Sequence, residues 1–302
     1  MKLRDAVDLL VLAAVWGASF LFMRIAAPEF GSVVLVQLRV TIGALFLLPV
    51  FMVRGQISEL RIHWKKLGLL GAINSAIPFC LLTYSTLYLT GGFASILNAT
   101  APLFGALIAW LWLADKLDGS RIAGLLIGLA GVITLVWNKI GLGAGDVSVA
   151  IFAAILASAF YGIGANYTKR YAGEVSSLAI ATGSQIGSAI VLLPATMFLW
   201  PAGPISAPAW ISVAIMGIAS TGIAYVLYFR LIANVGPAKA ISVTYLVPVF
   251  AVFWGAMFID ESVTTTMIFG CAIILIGTAL ATGALSLTGK SAQRRANSTR
   301  VE

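Results

Sequence analysis

The chain has 302 residues, of which 60% are hydrophobic and only 10% are charged, and its mean hydropathy is +1.01. Soluble globular domains carry about 25% charged residues, so this composition excludes a soluble domain and indicates a membrane protein. The formal net charge of +8 does not indicate nucleic acid binding, because the basic residues lie in short segments between apolar stretches.

Apolar stretches of about 20 residues, each able to cross about 30 Å of hydrocarbon, follow one another along the whole chain. Ten are predicted, at 7–27, 31–53, 67–89, 93–114, 121–138, 147–168, 175–199, 208–229, 238–259 and 263–286. The connections between them are too short to hold a soluble domain. Residues 288–302 are polar and basic, and they are predicted to form a disordered cytoplasmic tail.

The distribution of basic residues predicts the orientation. With an even number of stretches, both chain ends lie on one side of the membrane, and that side holds sixteen of the nineteen lysine and arginine residues. The other side holds Arg24 and Lys139, and Arg39 lies within a stretch. Cytoplasmic loops carry the excess of basic residues in membrane proteins. We therefore predict a multi-pass protein of a bacterial-type inner (plasma) membrane with both termini cytoplasmic.

The two halves of the chain carry the same pattern. Residues 91–117 superpose on residues 237–263 at a shift of 146 residues, and this shift places Pro102 on Pro248. Duplicated membrane units with a proline inside an apolar helix are common in solute transporters. The pattern therefore indicates transport.

The duplication predicts the fold. We assign a first five-helix repeat to residues 1–140 and a second to residues 146–287. Because five is an odd number, the second repeat enters the membrane from the opposite face. The predicted fold is an all-α polytopic membrane protein with ten transmembrane helices in two inverted repeats, and a substrate site is expected between them near the midplane.

Several short motifs recur in order and at a constant spacing in the two halves. They comprise Trp16-Gly17, Phe20, Leu38-Arg39, Leu47-Leu48-Pro49, Ala94-Ser95, Pro102-Leu103-Phe104, Asp115, Tyr225, Ala240, Pro248 and Glu261. With these motifs the chain resembles the EamA family of the drug/metabolite transporter superfamily over residues 6–286. The resemblance implies a ten-helix permease for metabolites or drugs, often an exporter of amino acids or related compounds.

The two prolines are predicted to interrupt their helices. Each lacks the N–H that would bond the carbonyl four residues earlier, so the carbonyls of Asn98 and Thr244 lose a partner. Unpaired carbonyls inside a membrane must face protein, water or ligand. We predict a pair of polar patches along the transport path, although kinks patched by neighbouring hydroxyls are the alternative. The patches comprise Asn98, Thr100, Pro102, Thr244, Tyr245 and Pro248.

Polar and aromatic side chains at helical spacing mark the third and eighth stretches. Asn74 and Tyr84 lie in the third stretch, and Tyr225 lies in the eighth. Because lipid-facing positions are apolar, these side chains should face inward. With Trp16 and Tyr161 they are predicted to wall a cavity for an amphipathic or cationic solute.

Arg39 lies about 12 Å into the second stretch by helical rise. No carboxylate lies deep in any stretch, so two interpretations remain open: Arg39 holds carbonyls freed by helix breaks, or it binds a substrate carboxylate or phosphate. We prefer the structural interpretation. The equivalent position in the second half is Ser184, beside Gln185, which we include among the predicted substrate-binding residues.

Acidic residues mark equivalent helix ends on opposite faces. Asp115 and Glu261 are candidate gates that pair with basic residues, although ordinary solvation of a helix end is the alternative. Asp8 is the one further carboxylate near the hydrocarbon, so we expect facilitated diffusion or exchange and no proton relay within the membrane.

Other functional classes lack support in the sequence. There is no phosphate-binding GxxxxGK[ST] loop, and we expect no metal, no cofactor and no enzymatic activity. We predict a secondary transporter of small organic metabolites such as amino acids, working by alternating access as a monomer or homodimer in the lipid bilayer. The alternatives are a membrane scaffold or sensor that transports nothing, and a lipid flippase.

Overall fold

The computed structural model describes residues 2–140 and 145–285, so the predicted tail at 288–302 lies outside the described residues. All regular structure in the described part is helical. The helices are α1 (Leu3–Val53), α2 (Ile57–Gly71), α3 (Ile77–Tyr88), α4 (Gly91–Asn98), α5 (Ala101–Leu113), α6 (Gly119–Ile140), α7 (Asp146–Tyr171), α8 (Ser177–Leu199), α9 (Ala207–Ile215), α10 (Ala224–Val235), α11 (Pro237–Ala240), α12 (Val243–Ile259) and α13 (Thr265–Ala281). Two π-helical segments, Ala72–Ala76 and Met216–Ile223, join α2 to α3 and α9 to α10.

The helices have the length and composition of membrane helices. Seven helical spans of the described chain are long and apolar enough to cross a bilayer, and the shorter apolar helices α12 and α13 accompany them. Many large apolar side chains on their outer surfaces are exposed, among them Leu126, Phe198 and Phe269. A polytopic membrane protein exposes such side chains to lipid.

Helix α1 folds back on itself at Gly31. This glycine has φ 70° and ψ 166°, a conformation that interrupts the helix and that residues with a Cβ rarely adopt. Trp16 and Gly43 both contact the π segment Met216–Ile223. A continuous helix would separate these two residues by about 40 Å, so the arms before and after Gly31 lie side by side.

The interruptions near the two prolines differ from the expectation. In the first half, α4 ends at Asn98 and α5 begins at Ala101, so Pro102 lies in the first turn of α5. A proline is tolerated there because its missing N–H would have no helical partner. Pro248 lies inside α12, and the interruption precedes that helix at residues 241–242. The interruption thus lies just before Pro102 in the first half, whereas Pro248 is accommodated within α12.

The π segments are interruptions that we did not predict. Each widens a helix by one residue at equivalent places in the two halves, since the segments begin at residues 72 and 216. Pro78 follows the first segment, and the wider turn accommodates its missing N–H. The second segment has no proline but contains two glycines, Gly217 and Gly222. π-Helical turns occur frequently at functional sites.

Helices α6 and α13 pack most closely through glycines. A Cβ on Gly277 would lie 2.3 Å from the backbone nitrogen of Gly128, and a Cβ on Gly124 would lie 2.3 Å from the nitrogen of Ala281. Backbones this close gain dispersion contacts that larger residues would prevent. Gly124 and Gly128 therefore act as packing positions between these two helices.

We expect Gly277→Ala to destabilise the protein. The added methyl group would meet backbone atoms, which cannot move aside as a flexible side chain can, and overpacking of this kind costs about 1–3 kcal/mol. The measurement is the thermal midpoint of the detergent-solubilised protein. Gly68→Ala is the matched control, because a Cβ on that helical glycine meets nothing within 4 Å. Equal midpoints for the two variants would contradict the prediction.

Candidate functional site

A cavity of about 710 Å³ lies between the two halves of the chain. Side chains from both halves line it, so neither half forms it alone. Nine of the side chains expected on the transport path are among the lining residues. These are Trp16, Arg39, Asn74, Asn98, Pro102, Tyr161, Tyr225, Thr244 and Pro248. The volume lies within the range of small-molecule pockets, which is about 300–1,000 Å³.

The cavity opens at one end of the helix bundle. Ala165, Lys169 and Ile241 line it and are exposed, and Arg121 lies beside them. The walls towards the other end are formed by Phe20, Met23 and Leu82, all of which are buried. The described structure is therefore accessible from the end that carries Lys169.

A buried ion pair seals the other end. Glu261 is 8% exposed at its side chain, and its Oε1 accepts from Arg24 Nε at 3.0 Å. The same carboxylate accepts from the backbone N–H groups of Gly91 at 2.9 Å and Gly92 at 3.4 Å, at the start of α4. Arg24 also donates to the carbonyl of Thr86. One carboxylate thus links the second half of the chain to two segments of the first.

A second ion pair lies at the open end of the cavity, at positions equivalent to Arg24 and Glu261, and it is more exposed to solvent. Lys169 Nζ lies 2.9 Å from Asp115 Oδ2, and these side chains are 62% and 41% exposed. Lys169 and Arg24 are related by a shift of 145 residues, and Glu261 and Asp115 by 146. Each pair joins one residue of the first half to one of the second. The two candidate gates therefore occupy equivalent positions, one closed and buried, the other exposed.

Arg39 is a buried cation on the cavity wall. It is 6% exposed, its Nε donates to Thr221 Oγ1 at 3.2 Å, and its guanidinium lies 4.2 Å from the ring centre of Phe79. No ion pair joins Arg39 to a carboxylate in residues 2–140 and 145–285. The partner is a hydroxyl in the second π segment and not a carbonyl, and the role of Arg39 stays a prediction. Its remaining N–H groups are available to the cavity.

Aromatic side chains form much of the wall. Trp16 donates from Nε1 to the carbonyl of Ser220 at 3.1 Å, and its ring lies 5.4 Å from that of Tyr228. The Tyr161 ring lies 6.3 Å from that of Phe79. The Ser220 carbonyl belongs to the second π segment, Met216–Ile223. Trp16 is thereby fixed across the boundary between the halves.

Two polar atoms in the cavity wall have no partner. Ser19 Oγ and Asn98 Oδ1 are buried and make no hydrogen bond in the described structure, and both residues line the cavity. An unpaired buried polar atom costs about 1–3 kcal/mol, so such atoms in a cavity favour a polar ligand or water. Asn98 was predicted for this wall. Ser19 was missed, although it lies one turn from Trp16 and a lone serine in an apolar helix is a usable signal.

Four predicted binding residues do not line the cavity. Tyr84 lies two positions after Leu82, which rotates it by about 200° away from the lining face, and its ring packs on Tyr88 at 5.3 Å. Thr100 donates to the carbonyl of Leu97 at 2.6 Å and is 1% exposed. Neither side chain is among those that line this cavity. Helical periodicity alone does not tell whether an inward-facing side chain lines the cavity or packs against a neighbouring helix.

The other two predicted residues, Gln185 and Tyr245, contact residues near the cavity but do not line it. Gln185 is fully buried and donates to Ser75 Oγ at 3.1 Å, so it joins α8 to the first π segment. The Tyr245 hydroxyl is 3.0 Å from Thr282 Oγ1, and only Thr282 lines the cavity. Phe79 and Asn166 line the cavity and were not predicted. Asn166 donates to the carbonyls of Gly105 and Gly162, both at 2.9 Å, which connects α5 to α7.

The sequence matches one known protein family over nearly its whole length. The profile of the EamA-like transporter family matches twice, at residues 6–137 and 148–283. One solved crystal structure superposes with a TM-score of 0.67 at 19% identity, covering 95% of this chain and 100% of that one. At this identity the superposition shows a shared fold.

Several relatives are named as transporters. The chain is 24% identical over 281 residues to the uncharacterized transporter YvbV of Bacillus subtilis (strain 168), covering 91% of this chain and 90% of the relative. It is 27% identical to the uncharacterized inner membrane transporter YedA of Escherichia coli (strain K12), covering 91% and 89%. It is 26% identical to a probable terminal-alkyne amino-acid exporter of Streptantibioticus cattleyicolor, covering 93% and 94%.

Proposed function

The chain belongs to the EamA-like transporter family, and we propose that it is a ten-helix secondary transporter of small amphipathic organic metabolites. The observation that carries the proposal is the cavity between the halves, which combines aromatic walls, a buried cation and unpaired polar atoms. A membrane scaffold or sensor gains nothing from unpaired polar atoms around an open space. Small molecules are the cargo that a cavity of about 710 Å³ can hold.

Ten crossings follow from dividing α1 at Gly31. Seven long helical spans and two shorter ones make nine, and the two side-by-side arms of α1 count as two crossings, which gives ten. At 51 residues α1 would measure about 76 Å if straight, more than twice the hydrocarbon thickness of about 30 Å. Two crossings of about 25 residues each fit that thickness.

The inverted repeat rests on paired features in the two halves. The π segments occur at equivalent positions, as do the two ion pairs. Glu261 contacts Gly91, where the α4–α5 span begins, and Asp115 follows its last helical residue, Leu113. The equivalent carboxylates therefore lie at opposite ends of one span, as a twofold axis in the membrane plane requires. The repeats are 1–140 and 146–287.

We propose that the two ion pairs alternate during transport. In the described structure the Arg24–Glu261 pair is buried and the Lys169–Asp115 pair is exposed, which closes one end of the cavity and leaves the other open. Rocking of the two halves about the cavity would reverse these environments, because each pair spans the boundary between halves. Such motion around a fixed site is alternating access.

The open end is cytoplasmic in this proposal, and both termini lie on the same side. Lys169 and Arg121 lie at that end, and the sequence assigns most other basic residues to the same side of the membrane, as the positive-inside rule expects. Labelling of single cysteines with a membrane-impermeant reagent in intact cells tests this. In a background without Cys80 and Cys271, we expect modification of Ala202→Cys and none of Lys116→Cys, since both positions are exposed. The reverse pattern would invert the assignment.

A transport assay with a blocked cavity tests the function itself. Ala165 lines the cavity and is exposed, so the indole of Ala165→Trp can enter the open space without displacing packed atoms. Proteoliposomes are screened for exchange of labelled amino acids, quaternary amines and phosphorylated metabolites. We expect at least one solute to exchange, and Ala165→Trp to reduce that exchange to the level of empty liposomes.

The matched control is Ala130→Trp, which adds the same side chain at an exposed position of α6 that does not line the cavity. This variant should transport like the unsubstituted protein. Amino acids are tested first because one relative carries the name of a probable amino-acid exporter. No exchange of any solute by the folded protein, or unchanged exchange by Ala165→Trp, would contradict transport through this cavity.

A further inference from the structure

We propose that Arg39 binds a single carboxylate of the transported solute, so that the cargo is an organic monoanion with an apolar body. This inference rests on the proposed function and defines the chemistry of its site. The argument begins from the charge of Arg39. A guanidinium has five N–H donors and remains protonated in proteins. Only the Nε donor has an acceptor in the described structure, the hydroxyl of Thr221.

A buried charge without a counter-ion is costly in a membrane. The Phe79 ring at 4.2 Å offsets part of that cost, since its face attracts a cation. An anion in the cavity would offset the rest. The described residues supply no carboxylate to Arg39, but the cavity that Arg39 lines is open and large enough to admit one. A planar carboxylate matches the fork of the guanidinium and accepts two hydrogen bonds.

The other walls select against a more highly charged cargo. Arg39 is the one cation on the closed part of the cavity, since Arg121 and Lys169 lie at its mouth. A single positive charge balances a monoanion, whereas a phosphate dianion would leave excess charge in the membrane interior. Tyr161, Tyr225 and Phe79 offer surface for an apolar or aromatic body. The unpaired Oδ1 of Asn98 offers an acceptor for an N–H on the same solute.

The test compares two pairs of probes that differ only at one group. N-Acetyl-L-phenylalanine and N-acetyl-L-leucine carry one carboxylate and one N–H, and their carboxamides have the same size without charge. Binding to the purified protein is measured by thermal-shift titration at neutral pH. We expect both acids to stabilise the protein and the amides to bind about 10- to 100-fold more weakly, because a charge-assisted hydrogen bond contributes about 1.5–3 kcal/mol.

Variants assign that preference to Arg39. Arg39→Gln should abolish the difference between acid and amide, and Arg39→Lys should keep the preference at lower affinity because it retains the charge without the fork. Arg61→Gln, which removes an exposed arginine of α2, should bind like the unsubstituted protein. If Arg39→Gln does not fold, the affinities for acid and amide are compared in the unsubstituted protein and in Arg39→Lys. Equal affinities in these two proteins would still overturn the inference.

Equal binding of acids and amides, or binding of neither, would overturn the inference. So would a preference for the acids that persists in folded Arg39→Gln. Failure of this inference can be distinguished from failure of the proposed function. A protein that exchanges quaternary amines in the liposome assay, and loses that exchange in Ala165→Trp, transports through the cavity without recognising a carboxylate.

Discussion

Replacement of Glu261 by alanine is expected to lower the free energy of unfolding by up to about 3–5 kcal/mol, the cost of removing one partner from a fully buried ion pair. The loss has two sources. Arg24, whose side chain is 30% exposed, would lose its counter-ion, and the N–H groups of Gly91 and Gly92 would lose their acceptor. The measurement is the thermal midpoint in detergent, supported by proteolysis in membranes.

The chain supplies its own control at the equivalent position. Asp115→Ala removes the acidic partner of an exposed pair, and exposed ion pairs contribute about 0–1 kcal/mol. The two variants delete similar carboxylates from equivalent helix ends, so the difference between them reports the burial of Glu261 together with the backbone N–H groups of Gly91 and Gly92 that it accepts from. Equal destabilisation by both variants would show that the described environments of the two pairs are wrong.

The same variant tests the alternating arrangement. If the Arg24–Glu261 pair holds the closed end of the cavity together, its loss should increase the population that is open at that end. Ser19→Cys reports on this, because Ser19 is 4% exposed and lines the cavity. We expect faster labelling of Ser19→Cys from outside the cell when Glu261 is alanine. Unchanged labelling would exclude a gating role for the pair.

The second large effect is expected at Arg230, which pairs with Asp8 across the two halves. Asp8 is 10% exposed at its side chain, its Oδ2 is buried without a partner, and Arg230 is 39% exposed. Arg230→Met would therefore leave a largely buried carboxylate without its counter-ion, at a cost of up to about 3–5 kcal/mol. Asp8→Asn should cost less, because Arg230 can turn its charge to solvent.

The double variant Asp8→Asn/Arg230→Met completes a double-mutant cycle. It should be more stable than Arg230→Met alone, since it removes the uncompensated charge. Purely additive losses would show that the two side chains do not interact. Asp8 does not line the cavity, so Asp8→Asn should leave uptake under an imposed pH gradient unchanged. A loss of gradient-driven uptake in this variant would identify Asp8 as a proton carrier.

Much of the candidate site was predictable because it depends on duplicated residues. Trp16, Tyr161 and Tyr225 stand out as aromatic side chains among apolar helix positions, and Asn98 and Thr244 precede the prolines. All five line the cavity. Residue type and repeated position were sufficient here, because polar groups in a lipid-facing position would be costly and must turn inward.

The differences between the predicted and the observed cavity lining share a cause, which is rotation about the helix axis. Tyr84 and Gln185 belong to helices that contribute other residues to the cavity or its surroundings, yet they point elsewhere. Helical periodicity identifies an inward sector of more than 100° but does not divide that sector between a cavity and a packed neighbour. The π segments add to these differences, because each shifts the phase of all following residues.

By itself, the sequence determined the membrane character of the chain, the apolar stretches and the shared pattern of the two halves, because these follow from local hydropathy and spacing. It also marked Asp115 and Glu261 as a related pair. Only the tertiary structure decided that Glu261 is buried against Arg24 while Asp115 is exposed beside Lys169. The physical reason is that equivalent positions in two diverged repeats occupy environments that are set by contacts between distant parts of the chain, and local sequence does not fix those contacts. The partner of Arg39, Thr221, lies 182 residues away for the same reason.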